Sequence, residues 1–210
     1  MMNKIFFTVT IFIAIFLSTS TTFAATIEKN ASVAVMDFGT HPEAVPIDID
    51  IFNAGKVASE YVIDSLVKSN KFDVMDKSIV EDRIKAEKLN TTGIIDSDTA
   101  RRIGQILGVK YIIYGNVNDV TLSDVSTKVI GSGVTVCTVK AHLILRMMNV
   151  ETGDIICIAK GEGKSKSSGG SVVLLDVGNV SVTQTSVHNA LKKSAFQAVD
   201  ILLKRLYGKS

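Results

Sequence analysis

Residues 72–117 constrain the fold more than any other stretch of the chain, because their pattern predicts two helices between two strands. Ser78 is followed by Glu81 in the arrangement of a capping box. In such a box the serine oxygen accepts from a backbone N–H of the first helical turn, and the glutamate reaches back to the serine N–H. The sequence therefore predicts that the first of the two helices begins at Ser78.

The second helix of this stretch carries signals at both of its ends. Asp96 can accept a hydrogen bond from the first turn of a helix over residues 99–107, and Gly108 can adopt the left-handed conformation that ends many helices. A period of 3.6 residues gives this helix one apolar and one polar face. The predicted buried positions are Ala100, Ile103 and Leu107, and the predicted exposed positions are Arg101, Arg102 and Gln105.

Strands and helices also alternate along the rest of the chain. Because strands alternate with helices and are followed by a hairpin, we expect an α/β fold, namely an α/β sandwich with a mixed β-sheet. The predicted elements are strands over residues 31–38, 109–117, 134–150 and 155–159, a helix capped by Asn53 that ends near Lys68, and a helix over about residues 186–207.

The N-terminus has the pattern of a secretory signal peptide over residues 1–24. Its apolar run, residues 5–17, is shorter than the ~20 residues that a membrane-spanning helix needs. Small residues up to Ala24 favour cleavage before Ala25, and a retained N-terminal anchor is the alternative. Residues 25–210 are enough for one domain with a substantial core. The net charge of +2 gives no indication of a nucleic-acid partner.

The two cysteines raise the question of a disulfide. If residues 152–153 form a two-residue hairpin turn, residues opposite each other have numbers with an odd sum. Cys157 then lies opposite a position near Arg146 or Met148, and on the other face of the sheet from Cys137. Unless the loop contains an odd number of residues, we expect two isolated buried thiols rather than a bridge.

Several fragments imitate catalytic or ligand-binding motifs. Residues 163–165 read Gly-Lys-Ser, but Ile158 stands where a phosphate-binding loop needs glycine, and no helix pattern follows. Residues 37–39 copy a kinase tripeptide without the other kinase motifs. Three histidines show no ligand spacing with one another or with either cysteine, and they are His41, His142 and His188. We therefore expect no catalytic residues, no cofactor and no metal site, and we interpret the protein as non-enzymatic.

The order and spacing of residues 72–117 closely resemble the CsgG family. The likeness continues over residues 33–38 and 145–156, so that it covers most of the chain after residue 24. The residues that carry it in the central stretch are Phe72, Val74, Asp76, Ile84, Glu87, Leu89, Gly93, Asp96, Thr99, Ala100, Gly104, Leu107, Gly108, Tyr111, Gly115 and Val117.

This resemblance implies a bacterial cell-envelope protein that forms homo-oligomers and contacts secreted subunits or other envelope proteins. The best-known members are outer-membrane secretion channels for curli subunits, and relatives include holdfast-anchoring components and soluble periplasmic modules. Many members are lipoproteins, but the first cysteine here is Cys137, so we expect an exported, periplasmic protein without a lipid anchor. Association with the outer membrane is compatible with the resemblance.

Two polar segments, residues 119–135 and 161–187, are predicted to be hairpin or loop insertions outside the sandwich. In CsgG-like channels two hairpins occupy these places, and a ring of protomers pools them into one transmembrane barrel. Such strands carry aromatic girdles at both interfaces. Here no aromatic residue stands between Tyr114 and Phe196, and Lys164 shares a strand face with apolar residues.

Two functions of different classes therefore remain open. One is a component for the assembly or transport of secreted, curli-like subunits, which acts as a self-associating periplasmic domain. The other is a soluble periplasmic binding or regulatory module, for example a modulator of peptidoglycan synthesis. The composition of the two insertions is the feature that discriminates between a membrane pore and a solvated domain.

Overall fold

A computed structural model describes residues 29–41, 51–89, 94–128, 134–167, 173–176 and 181–208. The predicted signal peptide, residues 1–24, lies outside the described residues. The strands are β1 Ala31–Val35, β2 Gly39–Thr40, β3 Phe72–Val74, β4 Tyr111–Lys128, β5 Val134–Asn149, β6 Ile155–Ser167, β7 Val173–Asp176 and β8 Ser181–Thr183. The helices are α1 Ile51–Ser69, α2 Lys77–Ala86, α3 Ser97–Leu107 and α4 Gln184–Tyr207.

The main sheet is mixed, as the sequence predicts. Its strands follow the order β3-β1-β4-β5-β6, and the short β2 pairs with β4. β1 runs parallel to β3 and β4, whereas β5 runs antiparallel to β4 and β6. Parallel neighbours need a crossover connection, which α1 supplies between β1 and β3, and α2 with α3 supplies between β3 and β4. The predicted α/β fold with a mixed sheet is therefore confirmed.

The larger part of the core lies between one face of the sheet and helices α1 and α4. The apolar face predicted for β5 is confirmed where side chains are described, because every second residue from Val139 to Met147 is buried. α4 contributes an inward stripe that agrees with the predicted one, although Leu206 is only partly buried. Its fully buried members are Ala190, Leu191, Ala195, Ala198 and Leu202.

A smaller core cluster lies on the opposite face, under α2 and α3. The three predicted inward residues of α3, Ala100, Ile103 and Leu107, are all buried in it. Arg101, which we expected to be exposed, is half-buried. Its guanidinium donates to the backbone oxygens of Val150 and Glu151 at 3.2 and 2.6 Å, and this ties α3 to the end of β5.

Helix α4 approaches β6 so closely that two positions of the strand have no room for a side chain. A Cβ at Gly161 would lie 1.9 Å from the backbone oxygen of Ser194, and a Cβ at Gly163 would lie 1.9 Å from that of Ala190. Ser194 itself is fully buried, and its hydroxyl donates to the backbone oxygen of Gly161 at 2.9 Å. The glycines that look like a flexible insertion in the sequence are thus a helix-packing surface.

The N-terminus of α2 differs from the predicted capping box. The helix begins at Lys77, and its N-cap is Asp76, whose carboxylate accepts from the N–H and the hydroxyl of Ser78 at 2.8 and 2.6 Å. Asp76 takes the N-cap position because its backbone is extended, whereas Ser78 already lies within the helix. The predicted cap at Asn53 is also wrong, since α1 begins at Ile51 and therefore includes Asn53.

Both ends of α3 agree with the sequence prediction within two residues. Asp96 is the N-cap, and its carboxylate accepts from the Thr99 N–H at 2.8 Å. Gly108 ends the helix in the left-handed region with φ of 70°, and its N–H donates to the carbonyls of Gly104 and Gln105.

Replacement of Gly108 by valine is expected to destabilise the protein by at least about 1 kcal/mol. A Cβ at this position would meet no atom within 4 Å, so the cost comes from the positive φ alone. Thermal unfolding of Gly108→Val and Gly108→Asn measures it, because asparagine tolerates the left-handed region better than a β-branched residue. Equal midpoints for the two variants would contradict this explanation.

The Asp96 cap is expected to make stability depend on pH. Hydrogen bonds from the Thr99 N–H and hydroxyl lower the pKa of Asp96 below its usual value. The contribution of the cap is therefore fully present above the unfolded-state pKa of about 4 and is lost as pH falls through the folded-state pKa. We expect Asp96→Ala to lower the melting temperature at pH 7, with a difference from wild type that shrinks below pH 4. Asp96→Asn, which keeps an acceptor, should show a smaller loss at pH 7.

The β5–β6 hairpin corrects the predicted position of Cys157. A register shift between Met147 and Met148 places Cys157 opposite Met147, so its side chain lies on the core face with Leu145. The expected odd sum of paired residue numbers holds only next to the turn, where Met148 pairs with Ile155. Cys157 is nevertheless a free, buried thiol, as expected.

The register also separates the two cysteines. Cys137 pairs with Ser167, ten residues along β5 from the partner of Cys157, which corresponds to about 33 Å of strand. Its side chain lies outside the described part of the chain. Burial raises the pKa of the Cys157 thiol, against an opposing effect of Arg205.

The two predicted insertions begin as continuations of the main sheet. Residues 119–128 extend β4 and pair with β5 as far as Lys128 opposite Val134, so the first insertion is a long hairpin. Residues 161–167 complete β6, and β7 and β8 form a second, short hairpin. The hairpins agree with the prediction, but their strands belong to the domain to a greater extent than expected. Polar composition alone did not predict this, because polar residues can pair within a sheet and because the glycines of β6 are needed for its close contact with α4.

Candidate functional site

The described helices, α1 to α4, leave one side of strands β4, β5 and β6 uncovered, and we call it the open face. It is opposite α1 and α4 and beyond the area that α2 and α3 cover. Alternation along each strand brings its side chains into cross-strand rows. The open face consists of Asn116, Asp119, Thr121, Lys140, His142, Ile144, Arg146, Ile158, Lys160, Glu162, Lys164 and Lys166.

The centre of the open face is a row of ionisable groups across three strands. Asp119 of β4, His142 of β5 and Glu162 of β6 are direct cross-strand partners. The Nδ1 atom of His142 lies 2.6 Å from Asp119 Oδ1, and its Nε2 atom lies 3.8 Å from Glu162 Oε1. Each ring nitrogen therefore has a carboxylate beside it.

Basic residues surround this row. Lys164 Nζ lies 2.9 Å from Glu162 Oε1, and this hydrogen bond and charge lower the pKa of Glu162. The open face carries five Lys or Arg side chains against two carboxylates, so it is net positive at neutral pH. The basic members are Lys140, Arg146, Lys160, Lys164 and Lys166.

At one end of the open face the side-chain amide of Asn116 forms two hydrogen bonds. Asn116 is 5% exposed, and its Oδ1 accepts from Arg146 Nη1 at 3.2 Å while its Nδ2 donates to Asn118 at 2.6 Å. Beside Arg146, Ile158 is 42% exposed. The open face therefore combines hydrogen-bonded polar groups with an exposed apolar side chain.

A cavity of about 520 Å³ lies along this part of the sheet. It is shallow because its floor is the sheet itself, and its lining includes Asp119, His142, Lys160, Glu162 and Gln197. Among the residues that the structure describes, no group of three or more His, Cys, Asp or Glu side chains is arranged so that it could hold a metal ion.

A second charged cluster follows the carboxyl end of β1. Lys77 Nζ lies 2.7 Å from Asp37 Oδ1, and the Ser59 hydroxyl is 3.0 Å from the same oxygen. A cavity of about 330 Å³ beside it also has the Lys56–Glu81 ion pair at 3.6 Å on its wall. Ligands often bind at the carboxyl ends of parallel strands. Here the ion pairs join α1 to the start of α2, so we assign the cluster to helix packing.

The motif fragments take ordinary structural positions. Residues 163–165 lie within β6, where Gly163 and Ser165 face α4 and Lys164 faces outward. Asp37 follows β1 and pairs with Lys77. His142 lies on the polar face of β5, as the alternation predicts, and His188 lies in the first part of α4.

The Asp119–His142–Glu162 row is the feature that sequence reasoning missed. A histidine on a polar strand face was expected, but its partners depend on the pairing of three strands. A register shift between Val117 and Asp119 brings Asp119 onto the open face. Only the polar character of residues 119, 142 and 162 could have suggested the row.

In the described part of the chain, no helix is both long enough and apolar enough to cross a membrane. This finding concerns helices α1 to α4 and leaves the predicted signal peptide untested.

Comparison with known proteins gives a family and a fold. The model of the family described as curli production assembly/transport component CsgG matches residues 17–209. The hypothetical protein CT253 from Chlamydia trachomatis is similar in structure, with a TM-score of 0.51 at 11% identity over 86% of this chain and 99% of that chain. This similarity shows the fold alone.

Two further solved structures match at lower TM-scores. Lipoprotein GNA1162 from Neisseria meningitidis has a TM-score of 0.48 at 16% identity over 67% of this chain and 87% of that chain. The LpoB C-terminal domain from Salmonella enterica has a TM-score of 0.46 at 16% identity over 66% of this chain and 85% of that chain. The comparison with curated proteins found no match.

Proposed function

Since this chain belongs to the CsgG family, we propose that it is a non-enzymatic cell-envelope component that takes part in the assembly or transport of secreted, curli-like subunits. It acts in the periplasm as a domain that associates with copies of itself. The observation that carries the proposal is the family match over residues 17–209. The self-association follows from the resemblance to proteins that act as rings.

The open face is the surface that we assign to partner contact. It is net positive, it has an exposed Ile158, and Arg146, His142 and Lys164 are each held by a polar contact with a neighbouring side chain. Pre-ordered side chains lose little conformational entropy on binding. Charge complementarity would then favour an acidic segment on the partner.

A non-enzymatic role is supported by the surroundings of the one histidine at the centre of the open face. Asp119 and Glu162 lie at its two ring nitrogens. General-base activation of a nucleophile needs a hydroxyl or thiol within hydrogen-bond reach of such a nitrogen. Both ring nitrogens face carboxylates rather than a hydroxyl or thiol, and this geometry supports a non-enzymatic role.

The alternative is a soluble periplasmic binding or regulatory module, for example a modulator of peptidoglycan synthesis. The charged side chains of β6 favour this alternative over a membrane pore, because Glu162, Lys164 and Lys166 lie on one face of the strand and are exposed. A charged side chain on a lipid-facing position would cost up to about 2–4 kcal/mol at the bilayer midplane.

The mature protein is therefore expected to remain in solution without detergent and to form assemblies larger than one protomer. Analytical ultracentrifugation and negative-stain imaging, each with and without detergent, measure both properties. A monomer at every concentration would contradict self-association. Reproducible single-channel conductance in planar bilayers would restore a secretion pore as the better explanation.

A genetic experiment separates the two functions. In a host strain that lacks the protein, wild type is compared with the variant Lys140→Glu, Lys160→Glu, Lys164→Glu for recovery of secreted surface proteins. The matched control changes three exposed lysines away from the open face, Lys68, Lys85 and Lys204, to glutamate. Loss of secretion in the first variant alone supports the proposal. A change in peptidoglycan composition with normal secretion supports the alternative.

A further inference from the structure

Strand β6 is the outer strand of the main sheet, so its side away from β5 has no neighbouring strand in the described sheet. In an antiparallel pair, alternate residues bond to the neighbouring strand, and the residues between them direct their N–H and C=O groups outward. Ile158, Glu162 and Lys164 belong to the same alternation. Their outward backbone groups are those that an added strand would use.

Three side chains of α4 bond to these outward groups. Arg205 donates from Nη1 to the backbone oxygen of Ile158. The N–H of Glu162 donates to Gln197 Oε1 at 2.5 Å, and Lys193 Nζ donates to the backbone oxygen of Lys164 at 2.8 Å. Lys193, Gln197 and Arg205 are spaced by four and eight residues, so they form one stripe along the helix. We call these three residues the edge cap.

The edge cap contributes little to the stability of the fold. Its three side chains belong to exposed residues, and a typical hydrogen bond adds only about 0.5–1.5 kcal/mol net. The packing of α4 rests instead on its buried stripe and on Gly161 and Gly163. Removal of the edge cap should therefore leave α4 in place.

An uncapped β6 would be a long strand edge. The strand has 13 residues, and exposed edges of this kind pair with extended segments of other chains. Main-chain hydrogen bonds supply the affinity in such strand addition. α4 covers one face of β6 and the other face is open, so an added strand would lie in the plane of the sheet.

We propose that the edge cap blocks addition of an extended polypeptide segment to β6, and that β6 without it is a strand-addition site. This inference goes beyond the proposed function and holds whichever partner the open face contacts. It assigns a role to three exposed polar side chains of α4 that neither the core nor the open face requires.

The test compares two triple variants of the full-length mature protein. The first is Lys193→Ala, Gln197→Ala, Arg205→Ala. The control is Asn189→Ala, Lys192→Ala, Lys204→Ala, which removes the same number of positive charges and one amide from exposed positions of the same helix. The probe is a fluorescent peptide with the sequence of residues 138–148, because that segment of β5 already pairs with β6.

Fluorescence anisotropy is expected to show peptide binding at least about tenfold tighter for the first variant than for the wild type and the control. The same peptide with a central proline, which cannot continue a ladder, should not bind. Equal affinities for the two triple variants, or equal binding of the proline peptide, would overturn the proposal. If the first variant does not fold, Gln197→Ala alone is measured with the same peptide, and affinity unchanged from wild type would overturn it equally.

Discussion

Gly163→Ala is expected to destabilise the protein by about 3 kcal/mol or more. A Cβ there would lie 1.9 Å from the backbone oxygen of Ala190 and 2.6 Å from the backbone nitrogen of Ser194. Backbone atoms within a helix cannot rotate away as a side chain can. The methyl group therefore forces α4 away from β6, and the buried stripe between them loses contact.

Urea denaturation followed by circular dichroism measures this effect. The matched control is Lys160→Ala, because Lys160 lies on the same strand but is exposed on the open face. A surface change of this kind is expected to stay within about 0.5 kcal/mol. If Gly163→Ala is as stable as Lys160→Ala, α4 does not approach β6 at the distance described.

Leu145→Ala is expected to cost about 2–5 kcal/mol, through lost burial and the cavity that remains. Leu145 is 0% exposed and lies in the larger core cluster between β5 and α4. Ile158→Ala is the control, because Ile158 is 42% exposed on the open face and leaves no enclosed cavity.

The comparison tests the assignment of the two faces of the sheet. Chemical denaturation should give a large loss for Leu145→Ala, a small one for Ile158→Ala, and similar denaturant slopes for both, since the surface exposed on unfolding is nearly the same. Similar losses for the two variants would contradict the assignment.

Hydrophobic periodicity predicted most of the fold correctly. α3 has its predicted cap at Asp96, its predicted end at Gly108 and its predicted inward residues, because each of these signals is local. The apolar face of β5 was also predicted correctly, since strict alternation of apolar and polar residues indicates a strand with one buried face. The mixed sheet followed from the order of elements.

Helix starts were predicted less well because several residues compete for one cap. Asp76 and Ser78 both have side chains that can accept from a helix N-terminus, and only the backbone decides between them. Asp76 has extended dihedral angles, φ −60° and ψ 136°, as an N-cap requires. The local sequence therefore does not determine which of the two residues becomes the N-cap.

Strand register limited the prediction of the candidate site. The shifts at Asp119 and between Met147 and Met148 change which residues share a face. One shift creates the Asp119–His142–Glu162 row, and the other turns Cys157 into the core. A bulge has no strong sequence signal in strands of mixed composition, so alternation alone gives the wrong partners beyond it.

The unequal cover of the sheet has a consequence for how the domain opens. β1 and the first part of β4 have helices on both faces, as the burial of Ala34, Val35, Ile112 and Ile113 shows. Amide hydrogens there are expected to exchange slowest, at a rate set by global unfolding. The β5–β6 hairpin, which helices cover on one face only over most of its length, is expected to exchange through smaller, local openings. Flexibility would thus be concentrated in the half of the sheet that carries the open face.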